Sequence, residues 1–481
     1  MDVLHRDRVV IAVAALCLVL GCVPSAGAQP ADADRHWGQW RGPEASGVAR
    51  HADPPLTWSE TEHVAWKVEI PGRGSASPIV WGDKVFLLTA VPVGDSIPLA
   101  APEVSRGRRS ADVSPRGTPA RRERRGGGGA RGGRRGRGGP RGAQEVRAHR
   151  FTVLAFDRET GEVAWEREAR EALPHEGYQQ PNGSYASGSA VTDGERLYAF
   201  FGSWGLYAYD LDGELLWEAD LGDRFMRNAF GEGTTPALHG DTLVVTWDHI
   251  GGQSFVAALD ARTGEERWRS NRDEIDTWAT PLVVEHDGRA QVITPAMNQV
   301  YSYDLETGET VWRSRGTTMN AIPSPVHAGG LVYVTSGYRG NNLQAIRLAD
   351  ARGDIAGTGA IVWQLDRDTP YVPSPLLYDD TLYLLKSNDG ILSAFDPLTG
   401  EPHYALQRLQ GVPNVFASPV GAAGRVYITG RDGATLVIRQ GPRYEVLAVN
   451  RLDDGFDASP ALVDDELYLR GYRYLYKIAE E

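Results

Sequence analysis

The sequence predicts an all-β chain closed into an eight-bladed β-propeller of four-stranded antiparallel blades. Three observations lead there. The phrase "FDRETGEVAW" at residues 156–165 returns as "LDARTGEERW" at 259–268 and "YDLETGETVW" at 303–312. A small hydroxyl residue, usually followed by proline, opens a recurring apolar strand at Ser77, Ser189, Thr235, Thr280, Ser324, Ser374, Ser418 and Ser459. Past the first interval these anchors lie 41 to 50 residues apart, the length of one propeller blade.

Each unit has the same internal order. After the anchor come an apolar pair, a Gly/Asp turn and a second strand, as in "SPIVWGDKVFLL" and "SPLLYDDTLYLL". The acid pairs Asp379-Asp380 and Asp464-Asp465 fall in this first turn, where turn chemistry explains them. The Asp-x-x-Thr-Gly phrase is the tight turn between the third and fourth strands, with glycine supplying a backbone angle that a side chain resists. The aromatic that ends the phrase is the face one blade lays on its neighbour. These docking residues are Trp165, Trp217, Trp268, Trp312, Trp363 and Tyr404. The eighth unit, from Ser459, supplies only three strands before the last residue of the sequence. An orphan strand at about 62–71, carrying Trp66, is therefore expected to complete it, closing the ring and removing sheet edges.

Composition narrows the function. The 481 residues carry a formal charge of −13, but residues 106–150 alone hold 15 Arg against Asp112, Glu123 and Glu145. The remainder is thus at −25, which disfavours a general nucleic-acid or anionic-membrane surface. The only cysteines, Cys17 and Cys22, precede the body, which therefore has neither disulfide nor thiolate metal site. His5, Arg6 and Arg8 ahead of "VVIAVAALCLVLG" read as an export signal, too short for a comfortable bilayer span. Two cleavage readings stand open. Val19-Leu20-Gly21-Cys22 resembles a lipoprotein box with Cys22 as the lipidation candidate (leader 1–21), and Ala26-Gly27-Ala28 is a small-x-small site (signal peptide 1–28). Residues 29–61 are then an N-terminal extension and 62–481 the propeller.

The segment from about 91 to 148 interrupts the first blade between its second and third strands. Its "RRERRGGGGARGGRRGRGGPRG" core has almost no apolar residues and is expected to be disordered. It is either a tolerated insertion or a basic arm for anionic lipid, lipopolysaccharide or an acidic protein surface.

The repeated Ala-x-Asp-x-x-Thr-Gly-x-x-x-Trp pattern resembles the tryptophan-docking repeat of the pyrroloquinoline quinone propeller superfamily over roughly residues 62–481. That superfamily includes quinoprotein alcohol dehydrogenases, the propeller lipoprotein of the outer-membrane assembly machinery, and exported propellers without assigned activity. The opening "HWGQWRGPEASGVA" and the following "TWSETEHVAWKVEIPGRGSASPIVWGDKVFL" are most similar to the third group. Quinoprotein chemistry, as the resemblance implies it, needs calcium held by carboxylate and amide oxygens, an aspartate base and an aromatic platform. The adjacent-cysteine disulfide typical of those dehydrogenases cannot form, since no cysteine follows Cys22. No calcium set matches residue by residue. The expectation is a non-catalytic envelope scaffold without a cofactor, acting as a monomer on envelope proteins or a small ligand; a dehydrogenase binding the quinone with calcium is the alternative.

Candidate contacts come from the loops entering the innermost strands, which form the rim of a propeller axis. Reading just before each anchor gives Arg73, Asn182, Tyr185, Glu232, Asp276, Trp278, Asn320, Tyr371, Asn414 and Asp457. These residues either solvate loops and cap strands or form a pocket, with Trp278 and Tyr185 as platforms and Arg73 as an anion contact. His175-Glu176, in the loop "LPHEGYQQPNGSY", lacks a helix-spaced partner and reads as a loop pair rather than half a metal site.

Overall fold

The computed structural model describes residues 32–98 and 145–480. Within them eight antiparallel sheets follow one another, seven of four strands and one with a short fifth. Blades are numbered by their anchors, from Ser77 for blade 1 to Ser459 for blade 8. Blade 1 comprises Ile79–Trp81, Lys84–Pro98, Glu145–Asp157 and Val163–Ala172. Blade 8 comprises Ala461–Val463, Glu466–Arg470, Tyr474–Ile478 and, as its outer strand, Val64–Glu69. The last pairing is antiparallel, with Lys67 opposite Tyr476, so the chain's beginning finishes its final sheet. Innermost strands of neighbouring blades touch, and Ala461–Val463 touches Ile79–Trp81, which closes the ring.

The core is a set of layers between facing sheets. Val326, Leu331, Tyr333 and Leu343 of blade 5 meet Leu377, Leu382 and Leu384 of blade 6 in one such layer. Outer strands such as Val163–Ala172 are mostly exposed, whereas second strands such as Thr381–Leu385 are buried throughout. This is the pattern of sheets covered on both faces near the axis and open to water at the perimeter.

The repeated phrase works as a socket. In blade 1, Asp157 Oδ1 accepts the backbone N–H groups of Glu159 and Thr160 and the Thr160 hydroxyl. Gly161 then turns at φ +74°, and Trp66 of the neighbouring sheet lies where its Cβ would be, 2.7 Å from the ideal position. The Trp66 indole donates to the carbonyl of Arg158, just after the aspartate. The same arrangement repeats for Trp165 on Leu211 O, Trp217 on Ala261 O, Trp268 on Leu305 O and Trp363 on Pro397 O. Glycine is required twice over, for its angle and for the ring that takes the place of a side chain.

Two expected docking residues depart from the rule. The turn after Asn342–Arg347 in blade 5 is stretched, and its Gly353–Asp354 adds a parallel fifth strand to blade 4, opposite Trp312 and Arg313. Trp312 is consequently fully buried, and its indole donates to Gln291 of its own blade instead of to the next. Tyr404 faces Tyr444 edge-on at 5.7 Å, because blade 7 has no Asp-x-x-Thr-Gly turn to receive it.

The anchors perform a role that their sequence pattern does not disclose. The backbone N–H of each donates to the side-chain hydroxyl of the next: Ser77 to Ser189, Ser189 to Thr235, Thr235 to Thr280, and Thr280 to Ser324. The series continues through Ser374, Ser418 and Ser459, whose N–H returns to Ser77. Distances run from 2.8 to 3.3 Å, and the eight bonds make a closed crown around the axis.

Residues 32–61 of the N-terminal extension are folded onto the propeller, and one boundary is corrected. The strands flanking the basic segment reach Pro98 and resume at Glu145, so the hairpin of blade 1 runs well past residue 91. These residues are pleated and pair across the sheet, which the Arg/Gly composition beyond them obscures. The rest of that segment, and the leader with Cys22, lie outside the described residues.

Trp312→Ala should cost about 3–5 kcal/mol in denaturant unfolding, as deletion of a fully buried aromatic does. Trp268→Ala, whose ring is only half-buried, should cost less; equal or reversed losses would contradict the burial difference assigned to the stretched turn.

Candidate functional site

The segment Trp37–Val48 crosses one mouth of the axis. Trp37 bridges to Val80 of blade 1, Gly38 accepts from Thr192 of blade 2, and Ala49 donates to Gly421 of blade 7. Between these attachments Gln39, Trp40, Arg41 and Ala45 lie against Pro236, Pro281 and Pro325, the prolines following three anchors. The Arg41 guanidinium is buried and donates to the carbonyls of Pro419, Pro375 and Ser46 at 2.6, 2.5 and 2.8 Å. It has no carboxylate partner among the described residues, and burial pulls its pKa down to about 9. The Arg41 backbone itself sits at φ +75°, a strained angle held by these contacts. Gly47, at φ +87°, leaves the space that the guanidinium fills, 2.6 Å from where its Cβ would stand.

Above this floor lies a cavity of about 280 Å³ on the axis. Its floor is Trp40, and its waist includes the crown hydroxyls of Ser77, Ser189, Thr235, Thr280, Ser418 and Ser459. Higher up it is bounded by Gln179, Phe230, Asn388 and Phe416. Six sequence-predicted rim residues join them: Asn182, Glu232, Trp278, Asn320, Tyr371 and Asp457.

The charged groups of this lining are already engaged. Asp457 receives two bonds from Arg431, at 2.6 and 2.8 Å, and Arg431 also donates to Asn182. Glu232 holds Arg224 at 2.6 Å and accepts the Ser203 hydroxyl at 2.6 Å. Trp278 donates its indole N–H to Gly231 O at 2.7 Å, which fixes the ring. Asn320 bridges Arg227 and the Tyr371 hydroxyl, and Tyr371 stacks on Tyr338 at 4.9 Å.

The other four predicted residues do not line the cavity. Tyr185 is buried in an aromatic cluster with Tyr178 and Trp204, its hydroxyl donating to Glu176 O, so it is no platform. Arg73 is spent on the loop above it, bonding Gln180 and the Pro181 carbonyl. It lies with Asn414 in a neighbouring shallow groove. Asp276 is fully buried beside Arg227 at 2.9 Å, with its Oδ2 unpartnered. Spacing relative to an anchor identifies a loop's position but not whether its side chain turns inward or back into the blade. Trp40 and the crown hydroxyls escape a sequence reading for different reasons: no repeat marks Trp40, and the hydroxyl residues have the composition of ordinary strand starts.

His175 and Glu176 tie loops together. His175 Nε2 meets Arg224 O at 2.9 Å, and the Glu176 carboxylate accepts the Met226 N–H. Three buried carboxyls in this quarter are held above their ordinary range chiefly by lost hydration. Glu176 rises to about 8, with Glu232 adding and the Met226 N–H and Arg224 opposing. Glu274 also rises to about 8, against the pull of Arg272 and the Tyr301 hydroxyl and with Asp248 and Asp273 adding. Asp276 rises to about 6 despite Arg227.

The sequence of these repeats matches, over residues 141–250 and 252–478, the family model described as outer membrane protein assembly factor BamB. No curated protein matches the chain in sequence. Among solved structures it is similar to BamB from Moraxella catarrhalis, with TM-score 0.50 and 17% identity over 69% of this chain and 90% of that one. It is similar also to the quinohemoprotein alcohol dehydrogenase of Comamonas testosteroni, with TM-score 0.58 and 11% identity over 94% and 82% of the two chains. A quinohemoprotein alcohol dehydrogenase from Pseudomonas putida HK5 gives 0.57 and 12% over the same shares. At these identities the structural likeness is one of fold.

Ser418→Ala should leave the buried N–H of Ser374 unpaired and cost about 1–3 kcal/mol in denaturant unfolding. A carboxyl whose pKa is raised on folding binds its proton more tightly in the folded state, so stability is fullest below 4.5, the ordinary glutamate value, and is lost as pH rises through about 8. The lowered pKa values of His149, His249 and His327 act in the opposite direction over the same window, so the glutamate contribution is read by difference: the stability of wild type relative to Glu274→Gln should fall between about pH 5 and about pH 8; a difference that is flat or rises with pH would refute the assignment. The match spans most of the chain, and the protein belongs to the family described as outer membrane protein assembly factor BamB.

Proposed function

We propose that the protein is an exported, non-catalytic binding propeller of the bacterial cell envelope, which takes a ligand or a protein segment at the rim of its axis. One observation carries this reading: both carboxylates lining the cavity, Glu232 and Asp457, are neutralised by arginines of the fold. The lining contains no histidine, cysteine or lysine, so its serine and threonine hydroxyls have no base beside them to activate a nucleophile. What it offers instead is hydroxyls, amides and rings, the groups of recognition. The basic and apolar leader supports export, and the family's description supports a place among envelope proteins.

The dehydrogenase reading fits these residues poorly. Pyrroloquinoline quinone is a tricarboxylate and would meet two carboxylates and no unpaired cation among the lining residues. Among the described residues, no three His, Cys, Asp or Glu side chains gather into one cluster. Trp40 would supply an aromatic floor, but the charges around it are arranged for a neutral guest.

Calorimetric titration of the purified protein with the quinone should show no calcium-dependent uptake at high micromolar concentration. Tight binding that requires calcium would replace the scaffold reading with the dehydrogenase one.

A further inference from the structure

Resting on that binding reading, we propose that the axial cavity takes one neutral pyranose unit, as a free sugar or as the end of a glycan. Three features of the cavity select this chemistry.

The first is charge. With Asp457 fastened to Arg431 and Glu232 to Arg224, an ionised ligand would lose its hydration and find no counter-ion that is not already shared. A neutral ligand avoids that cost.

The second is the pattern of polar groups. Each crown hydroxyl has accepted an N–H from the preceding anchor and retains its own O–H and a further lone pair. Six of these point-like groups surround the waist of the cavity. Asn388 accepts the Val372 N–H and Asn182 accepts from Arg431, which leaves the NH₂ of each as a donor without a protein acceptor. A ring of groups that both donate and accept matches sugar hydroxyls, which do the same.

The third is the arrangement of apolar faces. Trp40 lies across the floor, with Phe230 and Trp278 on the wall. Trp278 is locked by its bond to Gly231 O, so its ring lines the cavity without further ordering on binding. The flat C–H face of a pyranose is complementary to such rings, whose amphipathic edges leave polar groups free around it. A volume of about 280 Å³ lies at the small end for ligand sites, and Trp37–Val48 crosses the mouth of the axis opposite the rim. That geometry suits capture of a terminal unit, end-on.

The test is titration of the full-length mature protein with methyl β-glucopyranoside, methyl β-galactopyranoside and N-acetylglucosamine, beside the charged glucuronate and glucosamine. Binding is read from tryptophan fluorescence, since Trp40 and Trp278 both face the cavity. At least one neutral sugar should saturate a fluorescence change, and its charged analogue should bind about tenfold more weakly or worse. Phe230→Ala should weaken the neutral sugar about tenfold while circular dichroism and the melting midpoint stay near wild type. Gln179→Ala, an exposed rim change, supplies another variant if Phe230→Ala unfolds. No neutral sugar bound at roughly tens of millimolar, or tighter binding of glucuronate than of glucose, overturns the proposal. The quinone titration separates the two levels: absence of both ligands leaves a binding propeller with another guest, whereas calcium-dependent quinone uptake removes the reading beneath the sugar proposal.

Discussion

The crown of eight hydroxyls is the constraint on which the rest depends. At the entry to each innermost strand the anchor N–H faces the next blade, and all the anchors but the half-buried Thr280 are buried, so these donors must be satisfied. A serine or threonine at the strand entry answers this with a single short side chain that accepts its neighbour's N–H. Because the eighth bond returns to Ser77, the ring cannot be opened at one blade without orphaning a buried donor. The crown also fixes the radius of the axis, and therefore the size of the cavity above it.

Around the perimeter, the Trp-on-Gly sockets perform the complementary task. They set the angle between blades where the crown sets their approach. Both devices are written in the repeat, which is why the blade count, the third-to-fourth-strand turn and the closure by the strand around Trp66 are legible from sequence. The departures are legible only in part. The stretched phrase ending at Trp363 announces an insertion, but nothing in it says that Gly353–Asp354 will pair with the neighbouring blade and bury Trp312. Likewise, Arg/Gly composition marks where pairing must stop and cannot reveal that the preceding strand continues to Pro98.

The site is harder to read because its parts obey different rules. Position before an anchor brings six of the ten candidates, Asn182, Glu232, Trp278, Asn320, Tyr371 and Asp457, to one cavity. Direction is decided by partners elsewhere: Arg73 is turned away by the loop at Gln180, and Tyr185 by Trp204. Trp40 belongs to no repeat at all. Its placement depends on Arg41, a buried cation that substitutes carbonyls for a counter-ion, and such a contact is invisible until the fold brings Pro375 and Pro419 together.

These observations bear on how an axis becomes specific. A propeller left open at both ends would be a solvent channel lined by strand starts, with the crown hydroxyls bonded to water. Closing one end with Trp37–Val48 changes the dielectric around those hydroxyls and gives the channel a hydrophobic floor. The arginines at the rim then matter less for what they attract than for what they cancel. Arg431 and Arg224 each hold a carboxylate that would otherwise make the mouth acidic, in a body that is strongly acidic elsewhere. On the proposed binding reading, neutrality at an enclosed point of a highly charged surface is a selective feature: an ion would meet the desolvation cost uncompensated, and shape and hydrogen bonding would choose among neutral guests.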